Sequence, residues 1–295
     1  MSDIDTTDVN ATGDSPVLQP VGPLEVSEEL RPRIDELGLW DAIEHFREHG
    51  YAVIRNVAPP ELMDDLRAAI HSRAQFTEPT PGFAAPHLLG QEAAVDRVAT
   101  LPKILAFAEF SVGKGMLGGR FVGSIKRHDE DNQASRALPL HADQSWIPAP
   151  FPDHNLLVTF CFACEGMTEA GGATCVVPGS HRLRRPITEE ESTSAKPVPI
   201  ETEKGDVAVW DGSIWHGSLA RTIPGTRTVL HATYQRFYTQ AIDDFSYLLD
   251  DEEYMANAPE GIRDLLGGDL PFGTSTRTRD TDMVKFARAV EMSKL

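Results

Sequence analysis

Between residues 121 and 234 the chain carries five short β-like runs, 121–126, 155–163, 173–177, 207–210 and 226–234, separated by clusters of Gly, Pro and Asp. Short strands at this spacing, each bounded by turn residues, have to pair with one another to bury their apolar faces. They follow a helical lead-in, and the combination predicts a mainly β fold with flanking helices. Its core reads as a double-stranded β-helix, a jelly roll of the cupin-like type.

The segments around this core are patterned differently. Residues 39–49 place Leu39, Trp40, Ile43 and Phe46 at helical spacing, with Gly50 as the stop. Residues 51–57 read as a buried strand. Pro59 and Pro60 open a second helix to about residue 74, with Leu62, Leu66 and Ile70 on one face. A third helix is expected over 101–116, after a loop containing Pro79, Pro81 and Pro86. From about 243 to 295 the pattern is helical again, with Met283, Phe286, Ala287 and Val290 on one apolar face, suited to a lid or a homodimer contact. Residues 1–25 hold few large apolar groups and read as a disordered tail. No internal repeat is visible, so 26–295 is expected to form one domain.

Composition removes several classes of function. The 295 residues include 27 Lys+Arg and 45 Asp+Glu, a formal net charge of −18. Such a balance argues against a nucleic-acid partner or an anionic membrane surface. No run approaches the roughly 18 apolar residues that cross a bilayer. Residues 1–14 are acidic and lack the order of a secretory signal, and three cysteines make no paired framework. A cytoplasmic protein with a small-molecule substrate is the expectation.

The chemistry concentrates in Leu138-Pro-Leu-His141-Ala-Asp143-Gln144. Residues two apart on an extended strand share a face, so His141 and Asp143 can look into one cavity. An imidazole and a carboxylate so placed offer two ligands of the facial triad that leaves positions open on non-haem Fe(II). His-x-Asp alone is a weak signal, and the chain holds a decoy, His128-Asp129-Glu130-Asp131, which reads as a solvated acidic turn. The stretch from Gly205 to His216 then reads as strand, turn and second strand presenting a histidine. Eleven residues further on, Arg227 begins a β run. A buried arginine needs an anionic partner, and a dicarboxylate cosubstrate would supply one through a bidentate fork.

Taken in order, His141-x-Asp143, His216 and Arg227 resemble the Fe(II)/2-oxoglutarate dioxygenases of the phytanoyl-CoA dioxygenase (PhyH-like) family. Three further stretches are similar to that family: 51–74, the segment Thr168-Glu-Ala-Gly171-Gly172 through Pro178-Gly-Ser-His181, and 205–216. The resemblance implies that His141, Asp143 and His216 ligate Fe(II), with O2 as the second oxidant. It implies that Arg227 pairs with the distal carboxylate of 2-oxoglutarate, with Ser218, Lys126 and Ser124 as further contacts. Two departures touch the cosubstrate pocket: Cys161 stands where many members carry Trp, and Gly171-Gly172 replaces Asn-Gly. An intact Asp143 argues against halogenation, since related halogenases replace that carboxylate with a small residue.

Other candidates have plainer readings. His181 fits a structural turn, His231 a packed histidine, and His87 and His154 lie in loops. Cys161 and Cys164, three apart in a β run, face opposite ways and do not suit zinc. Trp146, Phe151, Trp215, Phe237 and Tyr238 flank the motif and are candidates for a substrate pocket. The resulting expectation is hydroxylation of a C–H bond in a small organic molecule. The alternatives are desaturation, epimerisation or cyclisation with the same cofactors, a cupin-type enzyme on another metal, or a non-catalytic ligand-binding jelly roll. A basic cluster, Arg182, Arg184 and Arg185, is the feature that could serve the phosphates of an acyl-CoA.

Overall fold

Two antiparallel sheets face each other in the computed structural model, which describes residues 24–77, 82–128 and 137–268. Their strands are β1 Tyr51–Ile54, β2 Gln75–Thr77, β3 Gly82–Ala85, β4 Leu117–Arg127, β5 Leu138–His141, β6 Leu157–Ala163, β7 Thr174–Val176, β8 Val198–Pro199, β9 Val207–Asp211, β10 His216–Ser218 and β11 Thr226–Gln235. The larger sheet runs β1-β9-β6-β11-β4-β3-β2 and the smaller β5-β10-β7-β8. Outside the β4-β3-β2 end and the β7-β8 pair the neighbours are non-consecutive, the mark of a jelly roll rather than of hairpins laid side by side.

The period of two along the central strands divides the interior. Val158, Phe160 and Phe162 of β6, with Leu230, Ala232 and Tyr234 of β11, join the core beneath the helices. Cys161 and Ala163, with Ala208, Trp210 and Val229, join a second cluster between the sheets. His231 and Thr233 share that inner face of β11 but stand in a cavity rather than in the packed cluster.

Helices α1 Arg31–Leu37, α2 Trp40–His49, α3 Pro60–Arg73, α4 Ala93–Ala99 and α5 Pro102–Val112 brace the outer face. Helix α2 ends where expected, because Gly50 adopts φ 82° and returns its N–H to Phe46 O at 2.7 Å. Helix α5 buries residues nearly all round, fitting between the sheet and α1–α2. Phe107 lies at its centre, edge-on to Phe46, Phe110 and Phe160.

Several boundaries differ from expectation for local reasons. The run 51–57 pairs only to Ile54, because Asn56 turns at φ 51° and donates its N–H to Asp206 Oδ1. Strand β4 begins at Leu117, since Gly118 and Gly119 conceal its alternation. The Pro-rich loop holds the β2–β3 hairpin, and α4 follows it. After β11, the described residues contain only short helices, α7 Glu252–Asn257 and α8 Ile262–Leu265, α6 being Glu189–Ser194. The expected apolar face at Met283–Val290 and the expected tail up to residue 23 lie outside the described residues. Phe107→Ala is expected to destabilise the fold by about 3–5 kcal/mol, read from urea unfolding; a loss below about 1 kcal/mol would contradict this packing.

Candidate active site

His141 closes β5 and His216 opens β10, and the two are direct cross-strand partners. Their rings stand 4.3 Å apart between centroids. The strand expected to carry both His141 and Asp143 ends at His141; Asp143 lies in the turn just beyond and still reaches the same place. Asp143 Oδ1 is 3.5 Å from His216 Nε2 and 3.9 Å from His141 Nε2. One donor atom from each of the three residues falls within 4.8 Å of the others.

Each donor is prepared from behind. His141 Nδ1 lies 3.0 Å from Pro139 O, and His216 Nδ1 lies 3.2 Å from Ile214 O. A carbonyl accepts only from an N–H, so both Nδ1 atoms carry the proton and both Nε2 atoms present a lone pair. Asp143 Oδ2 accepts from Thr159 Oγ1 at 2.9 Å and Trp210 Nε1 at 3.0 Å, which leaves Oδ1 available. Burial alone would raise the Asp143 pKa. His216, Trp210, His141 and Thr159 more than offset it, and the carboxyl lies below its usual range. Burial lowers the His216 pKa despite Asp143, keeping that imidazole neutral. Two imidazoles and one carboxylate form a donor set that fits a divalent transition metal.

Beside this set lies a pair of buried cations. Lys126 and Arg227 are cross-strand partners on β4 and β11, 9% and 5% exposed. Lys126 Nζ donates to Ser218 Oγ at 2.8 Å and to Leu219 O at 2.5 Å. Arg227 Nη1 donates to Gly172 O, while its buried Nε has no partner among the described residues. Burial, then the neighbouring Arg227, pull the Lys126 pKa down to about 7. Gly172 stands at φ 77°, and a Cβ there would meet Lys126 Cδ at 2.9 Å and Leu219 O at 3.0 Å. Glycine is therefore required at the second position of the Gly171-Gly172 pair.

Both groups of residues line one cavity of about 530 Å³, a size ordinary for small-molecule sites. Ser124, Ser218, Thr159, Trp210, His231 and Thr233 also line it, with Phe83, Val122, Leu138 and Pro139 as its apolar parts. His231, expected as a packed histidine, faces the cavity with its ring edge-on to Trp210; burial and Arg227 hold its pKa down at about 3. Trp146, Phe151, Trp215, Phe237 and Tyr238 are not among the lining residues. Phe151 and Trp215 pack with Ala142 in a small cluster of their own, and Trp146 and Tyr238 are exposed. Trp210 takes the aromatic place instead, and its position two residues before the Gly212 turn was the available signal.

The remaining candidates lie elsewhere. His128 is exposed, and residues 129–131 of its acidic run lie outside the described residues. His181 packs against Gly50. Cys161 and Cys164 fall in different clusters on opposite faces of the sheet. The basic cluster is engaged: Arg182 donates to Glu48 O, Arg184 to Phe151 O, and Arg185 makes a bidentate pair with Glu191.

Residues 121–229 match the family model described as phytanoyl-CoA dioxygenase (PhyH). Over this span the chain is similar to the PhyH family. The matched span runs from β4 into β11 and contains the three donors and both buried cations. Among curated relatives, the chain is similar to dioxygenase af480 of Aspergillus fumigatus, at 27% identity over 243 residues, covering 78% of this chain and 77% of that protein. Among solved structures it is similar to SnoN, an alpha-ketoglutarate-dependent epimerase of nogalamycin biosynthesis, at 20% identity and TM-score 0.58, over 68% of this chain and 84% of that one. SnoK, a carbocyclase of the same biosynthesis, has 18% identity and TM-score 0.58, over 72% and 89%. These likenesses establish the jelly-roll fold. No helix among the described residues is long and apolar enough to cross a membrane.

The donor geometry leads to a direct expectation. Co(II) should bind the protein one to one, and Trp210→Phe, which removes one of the two hydrogen bonds to Asp143 Oδ2, should weaken binding about 10–100-fold. Calorimetric titration measures both, and unchanged affinity would remove Trp210 from its supporting role.

Proposed function

We propose that this protein is a PhyH-type Fe(II)/2-oxoglutarate-dependent oxygenase that hydroxylates a C–H bond of a small organic molecule, releasing succinate and CO2. The observation that carries the reading is the meeting, in one cavity, of three pre-set metal donors with a buried Lys–Arg pair short of an anion. His141, Asp143 and His216 would hold the metal. Arg227, Lys126 and Ser218 would hold the distal carboxylate of 2-oxoglutarate, Arg227 through its guanidinium fork. When bound, Fe(II) supplies the redox centre at which 2-oxoglutarate and O2 are consumed.

The protein's own part is to orient and to exclude water. Thr159 and Trp210 fix which Asp143 oxygen is free, and the Pro139 and Ile214 carbonyls fix the imidazole tautomers. His231 stays neutral between cations and so adds no charge near the donors. Phe83, Leu138 and Val122 keep part of the cavity apolar. SnoN and SnoK show that this fold also hosts stereoinversion and ring closure, so product analysis separates hydroxylation from those outcomes. With Arg182, Arg184 and Arg185 engaged, a compact substrate is favoured over an acyl-CoA. Cys161, Cys164 and Cys175 are free and buried, consistent with a reducing cytoplasm.

Succinate release tests the assignment of residues. Asp143→Ala is expected to abolish it and His128→Ala to leave it intact; equal loss in both would mean that the wrong donors were chosen. A second expectation concerns pH. An anion favours the charged form of Lys126, whose pKa lies at about 7, so affinity for 2-oxoglutarate should fall as pH rises from 6.5 to 8.5. The slope can reach at most tenfold per pH unit. Lys126→Met should bind more weakly and lose that slope; a wild-type affinity flat over this range would contradict the contact.

A further inference from the structure

Strand β4 sends every second side chain into the cavity: Arg120, Val122, Ser124 and Lys126. Across the strand pair, Lys126 faces Arg227, Val122 faces His231 and Arg120 faces Thr233. Arg120 is thus six residues from Lys126, about 20 Å along an extended strand. A five-carbon dicarboxylate reaches about as far as two extended residues. A cosubstrate held at Arg227 cannot also reach Arg120.

The metal donors lie between these two ends. Asp143 accepts from Thr159, whose hydroxyl is 3.2 Å from that of Thr233, the cross-strand partner of Arg120. Arg120 therefore stands on the side of the donors remote from the Lys126–Arg227 pair. It is exposed, and among the described residues its guanidinium has no carboxylate partner and no hydrogen bond. Asp143 is the one acid among the described lining residues. With Fe(II) and 2-oxoglutarate bound, the charges of metal, Asp143, Arg227 and the dianion cancel, and a protonated Lys126 adds one positive charge. Among the described lining residues, Arg120 is then a cation with no counter-charge left for it.

Resting on the oxygenase reading, we propose that Arg120 anchors a carboxylate of the prime substrate, so that the enzyme acts on small organic acids. The planar fork of Arg120 receives the carboxylate, with the Thr233 hydroxyl alongside. The apolar part of the substrate lies on Val122 and presents a C–H bond towards His141, Asp143 and His216. Arginine in this place selects for acids over their neutral esters, which offer no charge to the fork.

The test uses the full chain, anaerobic, with Fe(II) and saturating 2-oxoglutarate so that Arg227 is occupied. Phenylacetate, indole-3-acetate and octanoate are each titrated beside their methyl esters, and binding is read by isothermal titration calorimetry. At least one acid should bind ten times more tightly than its ester. Arg120→Gln should weaken that acid at least tenfold while moving the ester less than twofold, and Arg120→Lys should restore part of the loss. Equal binding of acid and ester, binding of neither, or an acid-to-ester ratio unchanged in Arg120→Gln would overturn the proposal. So would loss of both ligands in Arg120→Gln that Arg120→Lys does not restore. Failure of the oxygenase reading shows itself earlier, as absence of Fe(II)-dependent 2-oxoglutarate binding before any acid is added, and takes the proposal with it.

Discussion

Lys126 and Arg227 are two like charges buried side by side on neighbouring strands, and the site is organised around that constraint. Burying a charge without a counter-ion costs several kcal/mol. The fold answers with neutral acceptors: Ser218 Oγ and Leu219 O for the lysine, Gly172 O for the arginine. These satisfy part of the hydrogen-bonding capacity and none of the charge. The unpartnered Arg227 Nε and the depressed Lys126 pKa are both signs that the arrangement is incomplete without an anion. Gly172 is a glycine because any side chain there would displace the lysine.

The jelly roll makes this arrangement possible by giving each cation and each histidine a separate strand, with Asp143 in the turn after β5. Strands β4 and β11 lie inside the larger sheet, where pairing on both sides leaves little freedom, and they carry the cations. Strands β5 and β10 of the smaller sheet carry the histidines as direct partners, so their separation follows from register. Between the sheets, Thr159 of β6 and Trp210 of β9 come from the large sheet to hold Asp143 of the small one. The second-sphere bonds thus tie the two layers together at the place where the chemistry would occur.

Much of this was legible in the sequence, and the reasons differ from residue to residue. The donors could be read because His-x-Asp at the end of a strand and a histidine after a strand–turn pair are local patterns. Arg227 could be read because a charge opening a buried run needs an explanation. What escaped depends on pairing across distant strands. Thr159, Thr233 and Arg120 reach the cavity only because β6, β11 and β4 align in one register, which no local window reveals. The aromatic lining was misjudged for the same reason: Trp215 lies next to His216 in sequence and so points to the other side, while Trp210 arrives on another strand. The pairing of β2 with β3 was hidden because Pro79, Pro81 and Pro86 make that stretch of sequence read as a loop.

The central claim is that this cavity holds Fe(II) on His141, Asp143 and His216, with 2-oxoglutarate anchored at Lys126 and Arg227. Anaerobic absorption spectroscopy addresses it most directly, because the chelate of Fe(II) by a 2-oxo acid has a weak visible charge-transfer band that neither component has alone. The account predicts a band that saturates at one 2-oxoglutarate per protein and requires far more 2-oxoglutarate in Arg227→Ala, at an unchanged iron requirement. Absence of the band in the wild type, or an Arg227→Ala titration that overlays it, would contradict the account.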